Sequence, residues 1–424
     1  MEYKKINKGA YNIHLIKNND FKEIIVKVYL QQPLKKEDIT MRNVLIDVLT
    51  YSTKTYNTNK LFNIREQELY SSNVRTSNYR TGRFLTTVFS IDVLEDKYTE
   101  EGNLAQAITF LSEVLYNPNV NKNRFDPKTV NIVKKDIKDY LERIKENTAL
   151  YSVVRLLENM DKDRPDSYRM FGYLEDLQNI NATNLYKHYK NMVENSIMNI
   201  YVIGNFNFDD MEQLIGANFK SKVLKKAKHE YQLDEVKALR KPQTIIESSD
   251  YKQSKLVIGY RLKKLSLFEE NYVLPAYNSI LGDSTGDSKL FNTIREKYSY
   301  AYYIYSTHSR LDRNILIHAG ISKENFDNVL KLVENIMKDM KKGKITLEEV
   351  KKAKESLIGS CHFAMESPYR IINMYYNIDI LNGDDYKTTI DKIKKITKKD
   401  IIRLAKKIKI DTIYCLEGED QWKK

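Results

Sequence analysis

The sequence has few of the residues that define several common protein classes. It contains only two cysteines, Cys361 and Cys415, and no CxxC pair, which excludes a disulfide framework and a cysteine-based zinc site. With 14 Gly and 7 Pro among 424 residues, it is neither collagen-like nor of low complexity. The longest stretch without a charged residue, 195–208, is shorter than the roughly 20 residues that a membrane-spanning helix needs. Because the N-terminus also lacks the apolar run of a secretory signal, we expect a soluble, cytoplasmic, globular protein.

Charge is abundant and mainly basic. Lys and Arg number 70 against 57 Asp and Glu, which gives a formal net charge of +13. Such an excess could attract nucleic acid or an anionic peptide. The lysines, however, are spread along the chain in runs such as KKIKKITKKD, where they alternate with apolar residues at helical spacing. Because no nucleic-acid-binding motif accompanies the charge, solvated helix faces are the favoured interpretation, and we expect no nucleic-acid partner.

The chain repeats one plan twice. The segment LFNIREQELYSSNVRTSNYRTGRFLTTVFSI from Leu61 resembles LFNTIREKYSYAYYIYSTHSRLDRNILIHAGI from Leu290. Each copy indicates a helix end followed by a hairpin of two strands. A strand and a helix precede each copy. Each half then closes with a helix that leads into a strand, where Tyr201 and Tyr414 correspond.

These repeats define two halves. The charged segment 219–241 lacks a strong apolar face and is the predicted linker between an N-terminal domain, 1–218, and a C-terminal domain, 242–424. Within each half, strands and helices are grouped rather than strictly alternating. This predicts the α+β class, with two homologous domains that each contain a mostly antiparallel sheet covered by helices on one side.

The two-copy plan, the string LFNTIREK followed by AYYIYS, and the late element ITKKDIIRLAKKIKIDTIYCLEGE resemble the pitrilysin/insulinase superfamily, which includes the mitochondrial processing peptidases. The resemblance covers nearly the whole chain. It is strongest to small bacterial subunits of a non-catalytic type, called YfmF-type, which are paired with a zinc-bearing subunit of YfmH type. It therefore implies a duplicated metallopeptidase-like fold and a heterodimer.

Active members of that superfamily carry HxxEH on the first helix, where two His bind zinc and the Glu acts as general base. The resemblance places Asn43 and Asp47 at the two His positions and Ile46 at the Glu. An amide is a poor zinc ligand and an isoleucine cannot accept a proton, so we expect no metal here. The further acidic ligand would fall near Asp136, for which a solvated helix charge is the competing interpretation.

Other catalytic patterns are missing as well. No two histidines stand at i, i+3 or i+4 spacing, and there is no GxxxxGK[ST] motif. We therefore expect no cofactor in this chain, with zinc in the partner subunit, and no activity from the chain alone. The six histidines are His14, His188, His229, His308, His318 and His362.

The resemblance implies one retained part of the catalytic machinery. In active dimers, the C-terminal half supplies an Arg and a Tyr that bind the substrate carbonyl, and the matching residues are Arg295 and Tyr302. A guanidinium and a phenol hydroxyl are suitable donors for a developing oxyanion. The competing interpretation is a helix-terminal charge and one tyrosine among many in a strand. Ser299 and Tyr300 stand where the family has Gly and Leu, which could shift the strand edge.

A polar loop lies just before these residues. Gly282, Ser284 and Gly286 belong to LGDSTGDSKL, which resembles a flexible loop flanking the substrate chamber in related subunits; an ordinary connection is equally compatible. Arg65 corresponds to Arg295 in the first half, and we expect a structural role for it because the tyrosine spacing is not kept.

The leading hypothesis is a zinc-free subunit of a heterodimeric zinc metallopeptidase that processes or degrades small peptides. Arg295 and Tyr302 would act in trans at the zinc site of an HxxEH-bearing partner. The alternative is a non-enzymatic scaffold or peptide-binding member of the same superfamily.

Overall fold

The structure is a computed structural model that describes residues 1–220, 231, 233, 237–239, 241–283 and 286–419. The chain forms two compact units. The first comprises Met1–Arg143 with Arg169–Tyr231, and the second comprises Ile144–Tyr168 with Gln232–Lys424. The second unit therefore takes a segment, 144–168, that lies within the N-terminal domain expected from the repeats.

Thirteen strands occur in the described residues. In chain order they are β1 Glu2–Asn7, β2 Tyr11–Lys17, β3 Glu23–Pro33, β4 Arg75–Thr81, β5 Phe84–Leu94, β6 Val120–Asn121, β7 Arg124–Phe125, β8 Ile197–Gly204, β9 Gln243–Ser248, β10 Ser254–Leu262, β11 Ala301–Ser309, β12 Asn314–Ile321 and β13 Ile408–Glu417.

The same residues contain thirteen α-helices and two π-helical segments, Glu269–Val273 and Phe291–Lys297. The α-helices are α1 Lys36–Leu49, α2 Asn59–Glu68, α3 Asn103–Tyr116, α4 Pro127–Glu142, α5 Thr148–Asp161, α6 Ala182–Asn195, α7 Phe208–Asn218, α8 Leu274–Gly282, α9 Phe326–Lys341, α10 Leu347–Ala364, α11 Pro368–Ile380, α12 Tyr386–Lys394 and α13 Lys398–Ala405.

The two large sheets share one topology. The first has the strand order β1-β2-β8-β3-β5-β4, and the second has β11-β12-β10-β13-β9. Without β1, the first order read backwards matches the second strand for strand. The only parallel pair in each is the equivalent one, β2 with β8 and β9 with β13. The expected α+β class with a duplicated, mostly antiparallel sheet is confirmed.

The closing strands carry the corresponding tyrosines at the same place in each sheet. Tyr201 lies opposite Lys27 on β3, and Tyr414 lies opposite Val257 on β10. Both tyrosines are fully buried. A period of two along apolar runs such as IMNIYVIG places side chains on both faces of the sheet, which explains why these strands are buried throughout.

Helix α5 packs on the sheet of the second unit. Its Leu156 and Met160 join Val257 and Tyr414 in one buried cluster, whereas the neighbours of Val257 on β10 point into the main core of that unit. A side chain at Gly259 would place its Cβ 2.5 Å from the Met160 sulfur, so a larger residue would require the Met160 side chain to move. Both faces of this sheet therefore carry helices, not one.

The predicted linker is only partly described. Residues 221–230, 232, 234–236 and 240 lie outside the described residues. Phe219 is buried, and the Tyr231 ring packs on Phe84 with ring centroids 4.7 Å apart. The Tyr231 hydroxyl also donates to Oε1 of Gln31. Tyr231 is thus part of the core of the first unit.

Candidate functional site

The four positions expected from the zinc motif line one cavity of the first unit. Asn43, Ile46 and Asp47 lie on α1, and Asp136 lies on α4, which packs beside α1. The cavity has a volume of about 430 Å³. Its remaining lining residues come from β4, from α4 and from the segment after α5: Asn78, Ile137, Tyr140, Met170 and Phe171. We call it the Asn43 cavity.

Both polar atoms of the Asn43 amide make hydrogen bonds. Its Nδ2 donates to the carbonyl oxygen of Met170 at 2.9 Å, and its Oδ1 accepts from Nδ2 of Asn78 at 2.9 Å. Asn78 Oδ1 in turn accepts from the Thr87 hydroxyl at 2.7 Å. The Asn43 side chain therefore links α1 to β4 and to the segment that contains Met170.

A buried arginine continues this chain of hydrogen bonds. Arg42 is fully buried, and its Nη1 donates to the Thr87 hydroxyl at 2.9 Å. Its Nε donates to Nε2 of His188 at 3.0 Å, and its Nη2 donates to Oε1 of Gln32. Burial, with the nearby Arg42 charge, lowers the pKa of His188 to about 3, so the imidazole is neutral and can accept this bond.

The two carboxylates of the cavity repel each other. Burial by the surrounding cavity wall raises the pKa of Asp47 to about 6, and the charge on Asp136 adds to the rise. A resident cation would have the opposite effect on such a pair. Both residues are exposed at the mouth of the cavity.

The donor set of the Asn43 cavity does not fit zinc. Zinc in peptidase sites takes three protein ligands with nitrogen, sulfur or carboxylate donors. Here Ile46 has no donor atom, the Asn43 amide is engaged, and two carboxylates remain. Across the described ranges, no group of three or more His, Cys, Asp or Glu side chains is arranged to hold a metal ion.

Arg295 lies in the second unit, on the π-helical segment Phe291–Lys297. Its side chain is exposed, and its guanidinium lies over the Phe291 ring at 4.9 Å from the centroid. This cation–π contact orients the guanidinium while leaving its N–H groups available. π-Helical turns are rare and frequently occur at functional sites.

Tyr302 lies on β11, which is an edge strand of its sheet. The register of β11 against β12 shifts between Ala301 and Tyr303, so Tyr302 occupies a bulge. Its side chain is 54% exposed. In the part of the chain that the structure describes, its hydroxyl has no hydrogen-bond partner, unlike the buried Tyr272 and Tyr414.

The turn between these two residues departs from the family pattern but keeps a well-formed helix end. Ser299 has φ 53°, in the left-handed region that glycine prefers at this position. Its N–H donates to the Arg295 carbonyl, and the Tyr300 N–H donates to the Ile294 carbonyl, both at 3.0 Å. The turn therefore forms with serine, at some conformational cost.

The expected substrate loop is partly described. Gly282 is the last residue of α8 and is buried, and a Cβ there would lie 2.7 Å from the Ser306 hydroxyl oxygen. Gly286 has φ 85°. Ser284 lies outside the described residues. The close approach of Ser306 gives Gly282 a role in packing. This role does not depend on any contact that the loop makes with a substrate.

Arg65, the counterpart of Arg295, makes contacts within its own unit. Its Nη1 lies 3.1 Å from Oε2 of Glu68, and its Nη2 donates to Oε1 of Gln106 at 2.9 Å. These contacts join α2 to α3 and fit the structural role expected for it.

A second cavity was not found by sequence reasoning. It has a volume of about 620 Å³ and lies wholly in the second unit, where its lining includes Asn271, His308, Arg310 and Arg370. Asn78 of the Asn43 cavity was also missed. The repeat itself was the available signal, because Asn78 on β4 and His308 on β11 occupy equivalent edge strands.

Three comparisons agree with this fold and with the incomplete metal site. Residues 179–357 match the family model described as Peptidase M16 inactive domain. A relative named "Probable inactive metalloprotease YmfF", from Bacillus subtilis, is 24% identical over 421 residues, which is 98% of each chain. The name of this relative is YmfF, not YfmF as in the subunit type given above.

Solved structures show the same fold. The crystal structure of a conserved protein from Enterococcus faecalis V583 superposes with a TM-score of 0.89, at 23% identity and over 98% of this chain and 99% of that one. A peptidase M16 inactive domain from Pseudomonas fluorescens gives 0.82, at 14% identity and over 100% and 99%.

The duplicated fold and the donor set of the Asn43 cavity indicate a metallopeptidase-like class of protein that lacks the usual zinc ligands at this cavity. The comparisons support similarity to non-catalytic members of the pitrilysin/insulinase family, also called M16: the family model covers residues 179–357, and the Bacillus subtilis relative is similar over nearly the whole chain. No helix in the described part of the chain is both long enough and apolar enough to cross a membrane.

Proposed function

We propose that this chain is the zinc-free subunit of a heterodimeric zinc metallopeptidase that processes or degrades small peptides. Its partner would be an HxxEH-bearing homologue, and the complex would act in the cytoplasm. Arg295 and Tyr302 would bind the substrate carbonyl oxygen at the partner's zinc site.

The observation that carries the proposal is the state of Tyr302. Tyr302 is 54% exposed at a bulge of an edge strand, and its hydroxyl has no hydrogen-bond partner among the described residues, so it is accessible to a substrate. Arg295 is likewise exposed and is oriented by Phe291, at the end of the helix that leads into the same strand.

These two side chains suit an oxyanion. Attack of water on a peptide carbonyl places negative charge on the oxygen, and a permanently charged guanidinium and a phenol O–H can both donate to it. Loss of one such donor typically lowers the rate about 10²- to 10³-fold. The zinc of the partner would supply the Lewis acid, since the Asn43 cavity lacks the ligands.

The test combines the chain with an HxxEH homologue from the same cell and a quenched fluorescent peptide. Tyr302→Phe and Arg295→Ala should each lower kcat at least about tenfold, because each removes one oxyanion donor. Tyr298→Phe is the matched control, since Tyr298 is also exposed and lies four residues before Tyr302. Size-exclusion chromatography should show that every variant still assembles.

Two results would contradict the proposal. Unchanged kcat for both variants would remove the assigned role of Arg295 and Tyr302. Failure of any HxxEH homologue to bind the chain, together with peptide binding by the chain alone, would favour the scaffold alternative.

A further inference from the structure

The large cavity of the second unit occupies the position that the Asn43 cavity occupies in the first. The Asn43 cavity lies beside α1, which follows β3, and beside the edge strand β4. The second cavity lies beside the π-helical segment Glu269–Val273, which follows the equivalent strand β10, and beside the edge strand β11. We call it the Arg310 cavity. Helix α11 forms its far wall.

Arg310 is held in a fixed position in this cavity. Its Nη1 donates to Oδ1 of Asn271, and its Nη2 donates to Oδ1 of Asn377 at 3.4 Å. Burial lowers the pKa of Arg310, and the buried carboxylate of Glu270 opposes that shift. The negative charge of Glu270 therefore partly offsets the positive charge of Arg310.

The other ionisable groups of the cavity wall described next are paired or neutral. Asp384 accepts from Nζ of Lys392 at 2.6 Å and from the Tyr272 hydroxyl. Burial lowers the pKa of His308 to about 4, against the opposing charge of Asp283, so this imidazole is neutral at pH 7.

One positive charge of the lining has no counter-ion. Arg370, on α11, is exposed, and its guanidinium lies 4.4 Å from the centroid of the Phe363 ring. Within the described residues its guanidinium makes no hydrogen bond or ion pair. The ring contact restrains the guanidinium and leaves its donor edge open. Asn373, one turn further along α11, also lines the cavity and is exposed.

We propose that the Arg310 cavity binds a peptide through a carboxylate, which pairs with Arg370. A guanidinium matches a carboxylate through two parallel hydrogen bonds, and the absence of a competing anion leaves Arg370 ready to make them. The amide of Asn373 supplies both a donor and an acceptor, which is the pairing that a peptide backbone offers.

The size of the cavity favours a peptide over a lone small anion. A volume of about 620 Å³ lies within the range of pockets that enclose drug-sized ligands. The carboxylate can come from the C-terminus of the peptide or from an Asp or Glu side chain. The inference specifies the substrate class of the proposed peptidase, but peptide binding at this cavity does not require the zinc-bearing partner.

The experiment measures fluorescence polarisation with the full chain alone and three labelled ten-residue peptides of the same Ala, Ser and Leu sequence. One ends in a free carboxylate, one ends in an amide, and one ends in an amide but contains a single Glu. At least one carboxylate peptide should bind about fivefold or more tightly than the plain amide, as expected for a charge-assisted pair. The tighter one identifies the source of the carboxylate.

Variants locate the binding. Arg370→Ala should abolish the preference for the carboxylate peptide, and Arg370→Lys should retain only part of it. Arg143→Ala is the control, because it removes the same charge from an exposed residue at the end of α4. Equal affinity for all three peptides would overturn the inference, as would equal losses in Arg370→Ala and Arg143→Ala, which would indicate attraction by net charge. The turnover test above can fail independently, since it depends on Arg295, Tyr302 and a partner.

Discussion

The Asn43 cavity and the Arg310 cavity are equivalent places on a repeated scaffold with opposite electrostatics. The first has two carboxylates at its mouth, Asp47 and Asp136. The second has one unbalanced guanidinium, Arg370. Both lie beside an edge strand and beside the helical element that follows the equivalent strands β3 and β10. The scaffold thus sets where a cavity forms, and a few side chains set what it can bind.

The two cavities also differ in how their polar groups are satisfied. Around the Asn43 cavity, a continuous chain of hydrogen bonds runs from Met170 through Asn43, Asn78 and Thr87 to the buried Arg42. The Asn43 amide is thus tied into the packing between α1, β4 and the segment that contains Met170.

The largest expected effect comes from restoring the metal ligands in the first cavity. Asn43→His, Ile46→Glu and Asp47→His together place two imidazoles one turn apart on α1, near the carboxylate of Asp136. Three such ligands suit zinc, so bound zinc should rise from well under one to about one ion per chain by elemental analysis. Asn43→His alone should leave the zinc content low. One bound zinc ion per unaltered chain would contradict the conclusion that the donor set of the Asn43 cavity does not fit zinc.

The buried arginine provides the next largest effect. Arg42→Met should lower the free energy of unfolding by about 3 kcal/mol, because Thr87, His188 and Gln32 lose a buried donor. Urea unfolding followed by circular dichroism measures this. Arg143→Met removes an exposed arginine and should change stability by less than about 0.5 kcal/mol. A similarly small change in the free energy of unfolding for Arg42→Met would show that the chain of hydrogen bonds does not stabilise the first unit.

The Asn43 cavity should make the stability of the protein depend on pH. The pKa of Asp47 is raised to about 6 in the folded state, above its ordinary value of 3.8, so the folded state binds the proton more tightly. Stability should therefore fall as pH rises from about 4 to about 6. Asp47→Asn should stabilise the protein at pH 7 by up to about 1 kcal/mol, less than full linkage because the carboxylate faces solvent.

Urea unfolding at pH 4 and pH 7 measures the effect. At pH 4 the gain from Asp47→Asn should be near zero. Asp139→Asn, an exposed change on α4, should show no such pH dependence. A gain that is equal at both pH values would rule out titration of Asp47 as its cause.

The smallest effect concerns equivalent turns of the two units. The helix end before β4 has Tyr70 and Ser71 at φ 56° and 61°, and the one before β11 has Ser299 at φ 53°. Ser299→Gly should raise the free energy of unfolding by about 0.5 kcal/mol, because glycine adopts this region without a Cβ clash. Ser360→Gly, inside α10, should lower it by a similar amount. The same sign for both would contradict this explanation.

Repeat analysis predicted the duplication, the hairpin of each half and its closing strand, whereas the order of strands in each sheet required the structure. It assigned segment 144–168 to the first half, whereas α5 packs on β10 and β13. Helix periodicity identifies an apolar face but not the surface that the face will cover. In the structure, Met160 of α5 lies close to Gly259 of β10. A glycine at this position indicates such a contact only after the helix has been placed on the sheet.

The sequence alone determined that this chain is a duplicated α+β protein, because repeats and apolar periodicity are read directly from the order of residues. The family resemblance added the expectation that Asn43, Ile46 and Asp47 stand at zinc-ligand positions. Tertiary structure decided that Asn43 is engaged by Asn78 and Met170, and that Arg370 is left without a counter-ion in the second unit. Such pairings join residues far apart in the chain, and hydrogen bonds and charge balance depend on distances that only folding sets.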